Sequence, residues 1–132
     1  MTATLRILVA DDDEGLRQLM RLILHSVGFE VIEAVNGVDA LARAQDSNPS
    51  VILLDIMMPG MDGLAVCRNL KSDKRFDRVP VILVTAIDDL QHRTASKELG
   101  VDDYIKKPIG PRELVARVRS VMDRRGIQTL EA

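Results

Sequence analysis

Five short apolar runs punctuate the chain: Ile7 to Ala10, Glu30 to Ala34, Val51 to Leu54, Val81 to Thr85 and Asp103 to Ile105. Three of them, Ile7-Leu8-Val9-Ala10, Val51-Ile52-Leu53-Leu54 and Val81-Ile82-Leu83-Val84, do not alternate with polar residues. A strand with one wet face would alternate, so these runs predict strands covered on both faces, as in a parallel sheet. Helical spacing fills the intervals. Leu16, Leu19, Met20, Ile23, Leu24 and Val27 recur at three- and four-residue steps and predict an amphipathic helix that stops at Gly28. Val38, Leu41 and Ala42 predict a second helix, opened by the turn residues Asn36-Gly37. Gly63, Val66, Cys67 and Leu70 predict a third. Leu90, Ala95 and Leu99 predict a thinner fourth, closed by Gly100. Leu114, Val115, Val118, Val121 and Met122 predict a fifth, with Pro111 in its first turn. Alternating strands and helices give (βα)5, an α/β fold with helices on both faces of a parallel sheet.

Composition narrows the class. The 132 residues suit one domain, with 46% hydrophobic and 29% charged residues. The single Cys67 forbids an internal disulfide, and two distant histidines, His25 and His92, argue against a zinc cage. A net charge of −2 argues against nucleic-acid binding by bulk charge. No run approaches the ~18 apolar residues of a membrane span. The first apolar run ends in Asp11-Asp12-Asp13-Glu14, the wrong flank for a signal peptide, so a cytoplasmic chain with no membrane association is expected.

Sites in open α/β sheets form at the carboxyl ends of the strands. Asp11, Asp12, Asp13 and Glu14 follow the first run, and Asp55 follows the third. The fourth ends in Thr85, and Lys106-Lys107-Pro108 follows the fifth. Acids after strands are often helix caps, and one of Asp11, Asp12 and Asp13 is expected to be one. A lone lysine before proline usually faces solvent, and a lone threonine at a strand end is usually structural. The ordered placement at four strand ends outweighs these separate readings. Converging carboxylates repel, and Mg²⁺ with oxygen ligands relieves the repulsion. A lysine and a hydroxyl opposite could hold further anionic oxygens. Such a site suits a phosphoryl group carried on an aspartate.

At these residues the chain resembles the receiver domain of bacterial two-component response regulators. The likeness spans about Leu5 to Arg125. It lies in Ile7-Leu8-Val9-Ala10-Asp11-Asp12-Asp13, in Val51 to Gly63 around Asp55, in Val81-Ile82-Leu83-Val84-Thr85-Ala86, and in Gly100 to Pro108. The resemblance implies a receiver domain over 1–125, with 126–132 as a frayed tail or the start of a linker. It implies the flavodoxin-like doubly wound sheet, strand order 2-1-3-4-5. It makes Asp55 the phosphoryl acceptor, and Asp12, Asp55 and the Met57 backbone carbonyl ligands of Mg²⁺, with Asp11 acting through water. Thr85 and Lys107 would hold the phosphoryl group, Tyr104 would turn inward on activation, and the Lys107–Pro108 bond would be cis.

The implied function is a signalling switch. A histidine kinase or phosphotransfer protein phosphorylates Asp55, and a downstream effector reads the surface of the fourth helix, fifth strand and fifth helix. On that surface the resemblance pairs Arg93 with Glu113, Asp103 with Arg117 and Asp102 with Arg124 across a two-fold axis. The apolar centre is thin, because Ala116 has only Thr94 and Lys97 beside it. A monomer, or a weak activation-dependent homodimer, is therefore expected. The rival reading is a Mg²⁺-dependent phosphatase or phosphotransferase with an Asp nucleophile. Such enzymes commonly carry a second acid two residues on, where this chain has Met57. A flavin carrier is disfavoured by two Phe, one Tyr and no Trp. A non-enzymatic switch is the expectation. The sequence accommodates both action through this domain alone and service as the receiver of a longer chain.

Overall fold

A computed structural model describes residues 4–127. The elements are β1 (Arg6–Ala10), α1 (Glu14–Ser26), β2 (Glu30–Ala34), α2 (Gly37–Ser47), β3 (Val51–Leu54), α3 (Gly63–Lys71), β4 (Val81–Thr85), α4 (Leu90–Glu98), β5 (Asp103–Lys106) and α5 (Pro111–Arg124). All strand pairs are parallel, in the order β2-β1-β3-β4-β5. A short 3-10 turn, Lys74–Phe76, buries Phe76 between α3 and β4 and has no counterpart in the apolar pattern.

The sheet explains the unbroken apolar runs. Leu8, Ala10, Ile52, Leu54 and Leu83 face one core, shared with α2 and α3. Ile7, Val9, Val51, Leu53, Ile82 and Val84 face a second core, shared with α1 and α5. Each step along a central strand therefore buries a side chain, first on one side and then on the other.

The helix stripes need correction. In α1, Met20 and Leu24 are buried, but Leu19 is 51% exposed and Val27 lies at the surface. The core phase is 17, 20, 24, and it carries a buried arginine, Arg17. In α2 the packed face is Gly37, Ala40 and Ala44, while Val38 points out. Small residues are needed there: a Cβ on Gly37 would stand 2.1 Å from the Met61 carbonyl oxygen. α4 is held by little, with Ser96 its one buried residue and Leu90 81% exposed.

The caps follow the chemistry of the termini. Asp13, Asn36, Asp62 and Asp89 accept from the backbone N–H three residues on and open α1, α2, α3 and α4. Gly110 precedes Pro111 at the start of α5. After α5 the chain does not fray at once. The Ile127 N–H donates to the Met122 carbonyl at 2.9 Å, and the Ile127 side chain packs on the second core. The rest of the expected tail, 128–132, lies outside the described residues. No helix among the described residues is long and apolar enough to cross a membrane.

Candidate functional site

The carboxyl edge of the sheet carries a cleft of about 710 Å³ lined by residues that follow β1, β3, β4 and β5. Asp11 leaves β1 and Asp55 leaves β3, each after four consecutive buried residues, so both carboxyls are carried almost out of solvent. The Lys107 ammonium stands between them. Its Nζ donates to Asp11 Oδ2 and to Asp55 Oδ2, both at 2.8 Å. The other carboxylate oxygens are held by backbone: Asp13 N–H donates to Asp11 Oδ1 at 2.9 Å, and Met57 N–H to Asp55 Oδ1 at 3.1 Å. Asp12 is exposed beside them. One oxygen each of Asp11, Asp12 and Asp55 can lie within 4.8 Å of the others. Three carboxylates around one ammonium leave an excess of negative charge. An all-oxygen donor set of that sign fits a hard divalent cation such as Mg²⁺.

The backbone that presents Asp55 is tightly packed. Asp55 N–H donates to the Ala10 carbonyl at 3.0 Å, which ties β3 to β1 at the site. Behind it, a Cβ on Gly63 would stand 2.3 Å from the Asp55 carbonyl oxygen. The first residue of α3 must therefore be glycine for the acceptor loop to lie where it does.

Charge at the centre is not balanced for both partners. Burial pushes the Asp11 carboxyl above the ordinary aspartate value, although hydrogen bonds from Lys107 and Asp13 pull the other way. Burial alone would depress Lys107, but its bonds to Asp11 and Asp55 outweigh this and raise it above the ordinary lysine value. The two acids together stabilise the Lys107 cation, whereas burial decides the direction for Asp11. A raised lysine contributes its stability in full below the unfolded-state value and loses it as pH rises through the folded value. Unfolding by urea from about pH 8 to about pH 12 should show an alkaline loss of stability that Lys107→Met lacks.

The remaining predicted residues fall as follows. Thr85 is fully buried at the end of β4, and its Oγ1 accepts from Ile87 N–H at 3.3 Å; its hydroxyl makes no hydrogen bond to Asp55 in this state. Met57 lines the cleft. The Lys107–Pro108 bond is cis. Tyr104 is half-buried, with its hydroxyl donating to the Ile87 carbonyl and the Arg93 guanidinium 4.5 Å from its ring centroid. The charges expected to pair across a dimer are largely met within one chain. Arg117 bonds Asp103 at 3.0 Å and lies 3.6 Å from Glu113, and Arg93 pairs with Asp88. Asp102 is bonded by Val81 N–H and by Arg125, and Arg124 donates to its carbonyl.

Two residues at the site escaped the sequence reading. His92 lines the cleft from the first turn of α4, its Nδ1 held by Asp89 at 2.8 Å. Arg17 donates to the Asp11 carbonyl at 2.8 Å from the buried face of α1. Its position three residues before Met20 and seven before Leu24 placed it on the apolar stripe.

Known proteins bear on this site. A family model described as the response regulator receiver domain matches residues 7–119. The transcriptional regulatory protein ResD of Bacillus subtilis is 43% identical over 94% of this chain and 50% of its own length. The DNA-binding response regulator MtrA of Mycolicibacterium paratuberculosis is 42% identical over 90% of this chain and 52% of its own. The chain thus spans about half the length of these relatives. A CheY-like receiver domain protein of Methanospirillum hungatei superposes with a TM-score of 0.88 at 30% identity, covering 94% of this chain and 98% of that one. The receiver domain of the Francisella response regulator 1452 does so at 0.82 and 32%, covering 92% and 98%.

Proposed function

Since the chain belongs to the response regulator receiver domain family, we propose that it accepts a phosphoryl group on Asp55, from a histidine kinase or phosphotransfer protein, and passes the change to an effector. The observation that carries this is the Lys107 ammonium bonded at once to Asp11 and Asp55 at the sheet's carboxyl edge. The Asp55 carboxylate is the nucleophile. One of its oxygens bonds to phosphorus as the donor's bond to phosphorus breaks. The Met57 N–H and Lys107 orient that carboxylate beforehand, so positioning is spent before the reaction. Mg²⁺, held by Asp12, Asp55 and the Met57 carbonyl with Asp11 through water, would neutralise the phosphoryl oxygens. Lys107 and the Thr85 hydroxyl then donate to those oxygens, the hydroxyl with the proton that its acceptor role toward Ile87 N–H leaves unused. The Ile87 carbonyl also takes the Tyr104 hydroxyl, so a shift of this loop reaches the β5 surface. The phosphatase alternative has no support among the relatives, and Met57 stands where its general acid would be.

Incubation with acetyl phosphate and Mg²⁺ should add one phosphoryl group, read by intact mass. Unmodified protein under conditions that load a known receiver would refute the proposal. The cation reading makes a separate prediction. Mg²⁺ should raise the melting temperature, because it binds only the folded state and relieves the acids. Asp12→Ala should abolish most of that gain, and an equal rise in both proteins would remove Asp12 from the ligand set.

The names of the relatives make an effector that acts on DNA a proposal for a longer protein. The case against nucleic acid at this domain rests on its charge of −2 alone. Unmodified protein should be monomeric. Beryllofluoride should bring at most a weak dimer through Arg93, Asp102, Asp103, Glu113, Arg117 and Arg124. The pairs are worth under about 1 kcal/mol each and are first drawn from intrachain contacts, so salt should dissolve it. Sedimentation at low and high salt tests this. A salt-resistant dimer, or one indifferent to Arg117→Glu, would place the contact on another surface.

A further inference from the structure

Arg17 is the one charged side chain that α1 buries, 8% exposed. A guanidinium withdrawn from water costs several kcal/mol unless its charge and its N–H groups are met. Glu33 of β2 meets the charge, with Nε donating to Oε1 at 3.0 Å. Arg21 takes the other Glu33 oxygen at 3.1 Å and holds the carboxylate in place. Arg17 Nη1 is then free to donate to the Asp11 carbonyl at 2.8 Å, in a buried contact.

That carbonyl belongs to the peptide joining Asp11 to Asp12. Asp11 is fixed from every side: its N–H by the Ala34 carbonyl at 3.2 Å, its carboxylate by Asp13 N–H and Lys107. Asp12 is exposed, so the direction of its carboxylate is inherited from the peptide before it. We infer that Arg17, braced by Glu33, is a positioning residue that sets the Asp11–Asp12 peptide and so aims the Asp12 carboxylate at the divalent cation. The inference rests on the cation reading proposed above.

Three roles for Arg17 predict three different signs. A cation that merely sat near the acids would repel a divalent ion, and its removal would tighten binding. A purely structural pair would lower stability and leave affinity alone. A positioning residue, when removed, weakens binding in protein that is still folded. Supporting contacts behind metal ligands commonly carry about 10–100-fold in affinity.

The test is Mg²⁺ titration of the full chain by calorimetry, with amide NMR spectra to show each variant folded. Arg17→Met should weaken Mg²⁺ about tenfold. Glu33→Ala should weaken it in the same direction, and Glu33→Gln, which keeps an acceptor for Nε, should restore most of the affinity. Affinity unchanged or tightened in folded Arg17→Met overturns the inference. Should Arg17→Met fail to fold, Arg17→Lys decides, since it keeps the charge but not both hydrogen bonds: weaker binding supports positioning, and wild-type binding overturns it. If the wild type takes no Mg²⁺, or Asp12→Ala binds as well as wild type, the cation reading itself fails and the inference falls with it. Wild-type binding that needs Asp12 but ignores Arg17 sinks the inference alone.

Discussion

Asp55→Asn is expected to bring labelling by acetyl phosphate and Mg²⁺ down to background. The amide is isosteric, and its oxygen can still accept from Met57 N–H, but it is no nucleophile toward phosphorus. Lys107 keeps Asp11 as its partner. The charge of Asp55 is one cause of the raised Asp11 carboxyl, so its removal eases the repulsion at the centre. Stability should hold or rise in the variant, and a melting curve beside the mass measurement separates lost chemistry from lost fold. Labelling at the wild-type level, with the phosphoryl group mapped to Asp11 or Asp12, would move the acceptor to β1.

Gly63→Ala is expected to damage both the fold and the acceptor loop. The added carbon would meet the Asp55 carbonyl oxygen at 2.3 Å, the carbonyl carbon at 2.9 Å and the Ile56 Cα at 2.9 Å. All three are backbone atoms, so no side chain can rotate away. Either α3 or the β3–α3 loop must shift. Overpacking of this kind costs about 1–3 kcal/mol. In a domain of this size that lowers the melting temperature by roughly 4–11 °C. Because the displaced atoms carry Asp55, phosphorylation should slow even well below the melting point. Gly110→Ala, where a Cβ meets nothing within 4 Å, is the control and should do neither. A Gly63→Ala protein that melts and labels like wild type would mean the loop is looser than its packing implies.

Most of the architecture was legible because the central strands are buried on both faces, which leaves an unbroken apolar run that a helix or a surface strand would not show. The acids, Thr85 and Lys107 were legible for a topological reason: parallel strands deliver their ends to one edge, so order along the chain becomes nearness in space. Other features depend on tertiary partners that spacing does not reveal. Leu19, Val38 and Leu90 fit helical stripes but face solvent, because the packed faces of α1 and α2 are centred elsewhere and α4 barely packs. Arg17 looks like a surface charge until Glu33, sixteen residues away, is brought beside it. Gly63 marked a helix start, but the reason for glycine there is the Asp55 carbonyl across the loop. The charges assigned to a dimer lie on the face of α4, β5 and α5, but Asp103 with Arg117 and Arg93 with Asp88 form pairs within one chain.

The bonds from Lys107 reach back 96 residues to Asp11 and 52 to Asp55. The lysine follows β5, the last of the sheet's five strands in chain order and an edge of the sheet. A chain that has made β1 through β4 has every acid of the site but not the ammonium that bonds two of them. Burying Asp11 and Asp55 without the ammonium is unfavourable, so the cleft is less stable until β5 and the lysine after it are in place. The set of bonds that holds Asp55 is thus completed together with the final strand of the sheet.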